Sequence, residues 1–288
     1  MNIINFLKPL IEKFPWLANF YRYNLNAKSL NSKIKFRNHL GFYFNGNSLM
    51  EKGEFEPEEN FIFDQIINSF DTFINIGANT GYYVCKALKK KTRTLAFEPN
   101  QLNVNILLKN IEANNFKSNF QLFPVALSDK EGTQLMYGES TGASLIKGWA
   151  GQKNSTLVPV SVFDKIASPL IKRQRCFVII DIEGSEFKCL NGAKSLLSSK
   201  MDNIFLIEIS VKEHQPNNIK INPYLFDTFN LMKKYGYSAY TADSSLRKIE
   251  LREVKKIQKS NLDTLGVKKN FIFSKNSKIL KEIKFFKN

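Results

Sequence analysis

The chain has 288 residues, of which 43% are hydrophobic and 24% are charged, a composition that supports one large folded core and excludes wholesale disorder. Three cysteines without a Cys-x-x-Cys pair, together with only two histidines, exclude a disulfide framework and a zinc or His-rich metal site. The net charge of +16 allows an anionic partner, but the lysines are scattered along the chain, which favours solvated surface charge over a nucleic-acid interface.

The first 55 residues are predicted to form an N-terminal extension that packs on the main domain. Residues 1–20 carry apolar side chains at helical spacing, but Lys8, Pro9 and Glu12 interrupt them. We therefore expect an amphipathic helix there, and neither a membrane span nor a secretory signal. The protein is expected to be cytoplasmic, with peripheral contact to the inner face of the membrane as an additional option. A strand or hairpin is expected around residues 34–44.

The next segment has the order strand, glycine turn, helix, strand and acidic residue. Thr72–Ile76 is a β-branched and aromatic run without Gly or Pro, typical of a buried parallel strand. The turn Gly77–Gly81 follows at once, and a helix is predicted over Tyr82–Lys90 and a second strand over Thr92–Phe97. Glu98 stands at the tip of that strand, where a carboxylate can accept hydrogen bonds from both hydroxyls of a ribose.

The glycine turn narrows the choice of ligand. A dinucleotide-binding G-x-G-x-x-G turn has three glycines that admit a pyrophosphate, whereas here Asn79 stands in the middle and no further glycine follows Gly81 in the turn. A polar asparagine suits a ligand with an amino-acid moiety better than a diphosphate. S-adenosylmethionine is such a ligand, and a tight turn that binds nothing is the alternative.

Strands and helices alternate along the rest of the chain. This order predicts an α/β protein with a parallel doubly wound sheet, to which the last two strands are added antiparallel at one edge. Residues 56–275 are expected to form one domain and residues 276–288 a basic tail. The predicted helices are Glu58–Asn68, Leu102–Asn114, Asp164–Leu170, Glu186–Leu197 and Pro223–Tyr235, and the further strands are Phe120–Ala126, Gly132–Tyr137, Leu157–Val162, Cys176–Ile180, Ile204–Ile209, Tyr237–Thr241 and Asn270–Ser274.

A long glycine-rich loop, residues 138–154, lies between two of these strands and contains Trp149. Long loops beside a binding edge are often lids or substrate-binding loops. We interpret this one as a lid or acceptor loop, with a flexible connector as the alternative.

Seven sequence blocks between Phe70 and Ser210 resemble, in the same order, those of the FkbM-type methyltransferase family. The blocks are INIGANTGYY, AFEPNQLNVNILLKNIEANN, FPVALSDKEG, TGASLIKG, VPVSVFDKI, IIDIEGSEFKCLNGAKSLL and IFLIEIS. The resemblance implies a seven-stranded, Rossmann-like class I methyltransferase sheet, mostly parallel with an antiparallel C-terminal edge strand. It also implies S-adenosylmethionine as the cofactor and O-methylation, commonly of sugar or polyketide hydroxyls, as the activity.

The resemblance also implies where the cofactor binds. Its amino-acid end would lie near the glycine turn, its ribose at Glu98, its adenine beside residues 124–127, and its transferable methyl group near Asp181 and Glu183. The complete predicted set of cofactor-binding residues is Asn75, Gly77, Ala78, Asn79, Gly81, Glu98, Asn100, Ala126 and Asp181.

One position departs from the family. The family usually has an acidic residue where this chain has Asn75, so a neutral amide stands where the cofactor ammonium would be bound. Another carboxylate, Glu54 or Glu56, could take over that contact.

A hydroxyl acceptor needs a base within hydrogen-bond reach as the methyl group is transferred. The candidates are Asp181 and Glu183 after the fourth central strand, Glu208 at the end of the fifth, and His214 just beyond it. Glu183, Ser144 and His214 are the predicted substrate contacts, with helix capping as the alternative for Glu183 and a surface position for His214. Asp181, Glu183 and Glu208 could hold Mg²⁺, but carboxylates at strand ends do not require a metal, and we expect none.

Two other functions compete with sugar O-methylation. The positive charge suggests an RNA methyltransferase, but the fourth central strand ends in Asp-Ile-Glu-Gly and not in the Asn/Asp-Pro-Pro-aromatic turn or Pro-Cys pair expected of base-modifying enzymes. A non-catalytic protein that only binds S-adenosylmethionine is the second. We expect a small-molecule or glycan acceptor as the partner, and no specific nucleic acid.

Overall fold

The computed structural model describes residues 33–138, 142–265 and 269–283; the helix predicted in residues 1–20 and the end of the basic tail lie outside them. The strands are β1 Lys35–Arg37, β2 Phe42–Phe44, β3 Thr72–Ile76, β4 Arg93–Phe97, β5 Phe120–Phe123, β6 Ala126–Leu127, β7 Gly132–Tyr137, β8 Ser155–Ser161, β9 Cys176–Ile180, β10 Ile204–Glu208, β11 Ser238–Thr241, β12 Lys248–Ile249 and β13 Asn270–Ser274. The helices are α1 Ser48–Lys52, α2 Pro57–Ile66, α3 Tyr82–Lys89, α4 Gln101–Ala113, α5 Phe163–Ile166, α6 Glu186–Asn191, α7 Lys194–Leu197, α8 Leu225–Lys234 and α9 Leu251–Ser260, with short 3-10 turns at Ile67–Ser69, Trp149–Gly151, Ser168–Ile171 and Ile279–Glu282. Within these ranges no helix combines the length and the apolar character that crossing a bilayer requires.

An eight-stranded sheet in the order β12-β11-β13-β10-β9-β3-β4-β5 forms the centre of the fold. Strands β5, β4, β3, β9 and β10 are parallel to one another, and β3, β9 and β10 are buried along their whole length. Helices cover both faces, as a parallel sheet requires. The α/β class predicted from the alternating elements is confirmed.

The antiparallel strand lies inside the sheet and not at its edge. Strand β13 pairs with β10 on one side and with β11 on the other, and the two-residue β12 takes the edge and raises the strand count to eight. The reason is burial: Phe271, Ile272 and Phe273 are all fully buried, so this strand needs a neighbour on both sides.

Two predicted elements are interrupted, each by a residue with special backbone chemistry. The strand predicted over Phe120–Ala126 breaks at Pro124, which has no N–H for the ladder. The chain then enters a separate three-stranded sheet, β6-β8-β7. The single helix predicted over Glu186–Leu197 is divided into α6 and α7 at Gly192. A Cβ at Gly192 would lie 2.1 Å from the carbonyl oxygen of Ser128.

The β1–β2 hairpin packs on the main domain and leads the chain into the cleft. Phe42 and Phe44 are buried in the same apolar cluster as Tyr82 of helix α3. The Asn110 side chain donates to the carbonyl oxygens of Asn45 and Thr80 at 2.8 and 2.9 Å, which ties the hairpin to the glycine turn. The segment between α1 and α2 is thereby held beside the strand ends.

Candidate active site

The candidate site lies at the carboxyl ends of the central parallel strands. Strand β3 has β4 on one side and β9 on the other, so the order of the strands reverses here, and open parallel sheets bind ligands in the crevice that results. The cleft holds about 930 Å³ of empty space, including the open solvent at its mouth. A smaller cavity below it shares Glu56, Gly77 and Asp181 with the main cleft.

Close packing requires glycine at both ends of the turn. Gly77 has φ 85°, and a Cβ there would lie 1.8 Å from the carbonyl oxygen of Asp181. Gly81 has φ 87°, and its Cβ would lie 2.9 Å from Cγ of Leu107 on helix α4. The two glycines therefore let the turn sit directly between the ends of β3 and β9 and against α4.

The N–H groups of residues 77–81 all have acceptors within the protein. The first two share the carbonyl oxygen of Phe97 at 2.9 Å, and that of Asn79 donates to a Glu98 carboxylate oxygen at 2.7 Å. The Asn79 side chain accepts from Thr80 N at 2.8 Å. Phosphate-binding loops present free N–H groups to their anion, so this turn is unsuited to a pyrophosphate, as the asparagine in the motif predicted.

Glu98 is buried beside the turn and lines the cleft. Its carboxylate also accepts from Asn100 N at 2.9 Å and from the Asn103 amide at 3.4 Å. Burial raises the pKa of Glu98, and the hydrogen bonds from Asn100, Asn79 and Asn103 oppose the rise because they favour the charged form. A carboxylate has about four acceptor sites, so Glu98 can fix the turn and still accept hydroxyl donors.

Helix α4 contributes Asn103, which the sequence analysis did not identify. Asn100, predicted as a cofactor contact, instead caps this helix, and its Oδ1 accepts from Leu102 N and Asn103 N at 2.9 and 3.2 Å. Asn103 lines the cleft, and its buried Oδ1 has no hydrogen-bond partner among the described residues. A buried amide oxygen facing a cleft is normally satisfied by a ligand or water. Asn103 stands one helical turn after the cap Asn100, and this spacing was the sequence signal that could have identified it.

Three carboxyl groups meet on the cleft floor. Glu56, Asp181 and Glu208 each offer an oxygen within 4.8 Å of the others. Burial, with the charges of Glu208 and Glu59, raises the pKa of Glu56 to about 8, and burial with the neighbouring carboxylates raises the pKa of Asp181 well above its usual range. Lys269 Nζ lies 2.6 Å from Glu208 Oε1. A positively charged ligand favours the ionised forms of these carboxyl groups, so the floor is suited to such a ligand.

The other residues near the predicted amino-acid end are now placed. Asn75 is buried at the end of β3 and lines the smaller cavity, together with Ala78 and Glu56. Glu54, the other carboxylate considered for the ammonium, is exposed and lines neither cavity.

The loop after β7 is docked on the turn after β9. Trp149 is 1% exposed, and its indole N–H donates to a Glu183 carboxylate oxygen at 2.8 Å. Ser144 Oγ donates to the Glu183 carbonyl oxygen at 2.6 Å and accepts from Ile146 N at 3.0 Å. Gly184 leaves room for the indole, since a Cβ would lie 2.5 Å from its ring. The described part of the loop is therefore anchored and not a loose connector.

These contacts correct two expectations. Ser144 is buried and its hydroxyl is used inside the loop, so the structure does not present it to a substrate. Glu183 lines the cleft but does not cap the next helix, because the capping position is Ser185. Burial raises the pKa of Glu183, while the Trp149 hydrogen bond lowers it.

His214 lies outside the cleft. Its side chain is exposed, its ring centroid is 6.0 Å from that of Trp149, and its carbonyl oxygen accepts from Ala150 N at 2.8 Å. The surface-loop interpretation fits this position, and the structure does not bring His214 within reach of a substrate in the cleft. Asp181 and Glu208 both line the cleft and stay the candidates for the base.

The opposite end of the cleft is apolar. After the break at Pro124 the chain runs along the cleft, and Ala126 lines it. Apolar walls with few polar groups suit a flat aromatic base. The side chains that form these walls are Val125, Ala126, Leu127, Met136 and Leu145.

The residues present fit S-adenosylmethionine from one end to the other. The apolar walls match the adenine, Glu98 and the unsatisfied amide of Asn103 match the ribose, and the acidic floor matches the positively charged methionine end. When bound, this cofactor supplies an electrophilic methyl group on a sulfonium.

The chain is distantly similar to several solved methyltransferase structures. The bifunctional kinase-methyltransferase WbdD aligns with a TM-score of 0.42 at 12% identity, covering 77% of this chain and 39% of that one. The precorrin-6y C5,15-methyltransferase from Geobacter metallireducens GS-15 aligns with a TM-score of 0.40 at 10% identity, covering 69% and 79%. The O-methyltransferase from Bacillus cereus in complex with SAH aligns with a TM-score of 0.39 at 11% identity, covering 76% and 79%. Likenesses of this size say nothing about the substrate.

The family is shown by sequence. No curated protein sequence gives a significant match, but the family model of the methyltransferase FkbM domain matches residues 75–239, more than half of the chain. The match begins on β3 and ends on β11, so it contains the glycine turn, Glu98 and Asp181. The chain therefore belongs to the FkbM methyltransferase family, and it is an S-adenosylmethionine-dependent methyltransferase with a Rossmann-like class I fold.

Proposed function

We propose that this methyltransferase O-methylates a hydroxyl of a sugar or of a cell-surface glycan precursor. The observation that carries the proposal is the set of carboxylates around the predicted methyl position, Asp181, Glu183 and Glu208, which all line the cleft. A sugar hydroxyl is a weak nucleophile, and a carboxylate within hydrogen-bond reach can take its proton as the carbon–oxygen bond forms.

Asp181 is the preferred base. It directly follows β9 and lines the main cleft, beside the predicted position of the methyl group. Burial and the neighbouring carboxylates raise its pKa, which makes its ionised form a stronger base than an ordinary aspartate. The docked loop, held through Trp149 and Glu183, would exclude water from that position, and holding the hydroxyl in line with the methyl group would lower the barrier further.

The same charge distribution disfavours RNA as the acceptor. A polyanion would have to approach the carboxyl groups of Glu56, Asp181, Glu183 and Glu208, of which Glu208 is paired with Lys269. A neutral polyhydroxyl compound meets no such repulsion. Any RNA binding should therefore be polyelectrolyte binding that collapses in a salt titration.

We infer a cytoplasmic enzyme that acts on a precursor before export. Cys85, Cys176 and Cys189 are free and buried, which is compatible with a reducing compartment. Cell fractionation would test this, and recovery in an extracellular fraction would contradict it.

The substrate class is tested by mass spectrometry of glycans and of RNA nucleosides. Cells with the active protein should contain a glycan species heavier by one methyl group, which is missing in cells without the protein. An unchanged glycan profile, or a methyl group found on RNA, would overturn the proposal.

A further inference from the structure

Glu56 is held in the cleft by an unusual backbone. It has φ 43° and ψ 66° and directly precedes Pro57, although non-glycine residues rarely adopt the left-handed region and residues before proline favour extended conformations. The Tyr83 hydroxyl donates to Glu56 Oε2 at 2.9 Å, which fixes the carboxylate at the junction of the two cavities. This chain thus places a half-buried acid at the cofactor cleft from outside the glycine turn.

Among the residues that the structure describes, Lys269 is the cation bonded to the carboxyl cluster around Glu56. Glu56, Asp181 and Glu208 lie together, and the lysine bonded to them contacts Glu208. The enclosed Oδ1 of Asp181 has no hydrogen-bond partner in the described ranges. Burying a carboxylate costs free energy unless it is paired. A ligand that carries a positive charge would supply the missing partner here.

An ammonium group fits this cluster better than a metal ion. It has three N–H donors, one for each of the three residues that offer an oxygen within 4.8 Å of the others. Mg²⁺ would need near-ideal octahedral geometry at about 2.1 Å. The Lys269 ammonium, 2.6 Å from Glu208 Oε1, would repel a dication there.

We propose that Glu56 binds the α-ammonium group of S-adenosylmethionine, in place of the acidic residue that is absent at Asn75. Glu56 and Asn75 both line the smaller cavity below the glycine turn, so the charge lost at one position is supplied from the other side of the same cavity. Asp181 and Glu208 complete the negative surroundings of the ammonium. The assignment rests on the family's cofactor and is independent of which acceptor is methylated.

The test compares two ligands on purified full-length protein. S-adenosylhomocysteine carries the α-ammonium, whereas methylthioadenosine keeps the adenine, ribose and sulfur and lacks the amino-acid part. Glu56→Gln keeps the size of the side chain and an oxygen for Tyr83. It should lower the affinity for S-adenosylhomocysteine roughly ten- to a hundred-fold, the range for a hydrogen bond to a charged group. The affinity for methylthioadenosine should stay nearly unchanged.

The control variant is Glu54→Gln, which removes the same charge two residues away at an exposed position. It should leave both affinities unchanged, which separates local binding from a general change in charge. Equal weakening of both ligands by Glu56→Gln, or no weakening of either, would overturn the assignment. Failure of the wild type to bind S-adenosylhomocysteine would overturn it together with the cofactor, whereas wild-type binding without glycan methylation would contradict only the proposed acceptor.

Discussion

Glu98 joins a structural role to a binding role. It accepts N–H groups from Asn79 in the glycine turn and from Asn100 at the start of helix α4, so it holds two walls of the cleft in register. Hydroxyl donors from a ribose would add to these bonds and further favour its charged form. Both the position of the turn and the affinity for the cofactor should therefore depend on one carboxylate.

We expect Glu98→Ala to weaken the binding of S-adenosylhomocysteine roughly ten-fold or more while the protein still folds. The variant loses the ribose acceptor and leaves two buried N–H groups unpaired, at a cost of about 1–3 kcal/mol of stability each. Calorimetry measures the affinity and circular dichroism the fold. The control is Glu112→Ala, on helix α4 with a side chain that is 72% exposed. An unchanged affinity of the Glu98→Ala variant for S-adenosylhomocysteine would refute the assignment.

Asp181→Asn should separate chemistry from binding. The amide keeps the shape of the side chain but cannot accept the hydroxyl proton, so we expect methyl transfer to fall by about 10²–10⁴-fold. Cofactor affinity should change by only a few-fold, because Glu56 and Glu208 still surround the ammonium. Methylated glycan is measured in cells that express the variant. Asp227→Asn, an exposed change on α8, should behave as wild type. A normal rate for Asp181→Asn would remove it as the base.

At the residue scale, positions at strand ends were predictable and positions brought in from elsewhere were not. Asp181 directly follows a buried strand, and its place in the cleft follows from strand direction. Lys269 was missed because it is 61 residues from Glu208 in the chain, and no local pattern brings the two together. The structure buries Ser144 inside the loop and leaves His214 at the surface, positions that depend on how a long loop packs.

At the scale of elements, the loop after β7 acts as one wall of the active site. It is held to the turn after β9 through the Trp149 indole and the Ser144 hydroxyl, both bonded to Glu183. The base candidate Asp181 stands two residues before that contact. The position of the loop and the shape of the acceptor site are therefore coupled.

Trp149→Ala should release this loop. We expect a loss of about 3–5 kcal/mol of stability, typical of removing a buried aromatic side chain, and faster proteolysis within the loop. The measurements are chemical denaturation and limited proteolysis. Leu157→Ala, on β8 with the side chain 63% exposed, is the control. A variant as resistant to protease as the wild type would show that the loop is not held by its tryptophan.

The prediction of elements succeeded where burial is continuous and failed where single residues interrupt it. Strands β3, β7, β9 and β13 have the predicted bounds. Pro124 and Gly192 divided elements that the apolar pattern joined. Helix α9 was missed because its buried face is narrow, with Val254 and Ile257 the buried residues among many charged ones.

At the scale of the whole molecule, charge is segregated. The cleft floor is acidic although the chain carries +16, and helix α9 presents cations on the side away from its buried face. An exposed Leu262, with 66% of its surface accessible, follows the helix. We propose that this face makes the peripheral contact with an anionic membrane. The cations are spaced i, i+3, i+4 and i+7 and are all exposed: Arg252, Lys255, Lys256 and Lys259.

Vesicle co-sedimentation tests this contact. The protein should bind vesicles that contain phosphatidylserine and not neutral ones, and binding should fall with ionic strength because the charges are exposed. Reversing Lys255 and Lys256 to Glu should weaken binding more than reversing Lys130 and Lys200, which are exposed elsewhere. Equal losses in the two double variants would contradict a specific face and indicate diffuse attraction.

The most direct test of the account is calorimetric titration of the wild type with S-adenosylhomocysteine at several pH values. Because the pKa of Glu56 is raised to about 8, this carboxyl is protonated below that pH in the free protein. A bound ammonium favours the ionised form, so binding should release protons below about pH 8 and strengthen as the pH rises towards it. Binding of one ligand per chain with proton release is predicted. No binding, or binding that weakens as the pH rises through this range, would contradict the account.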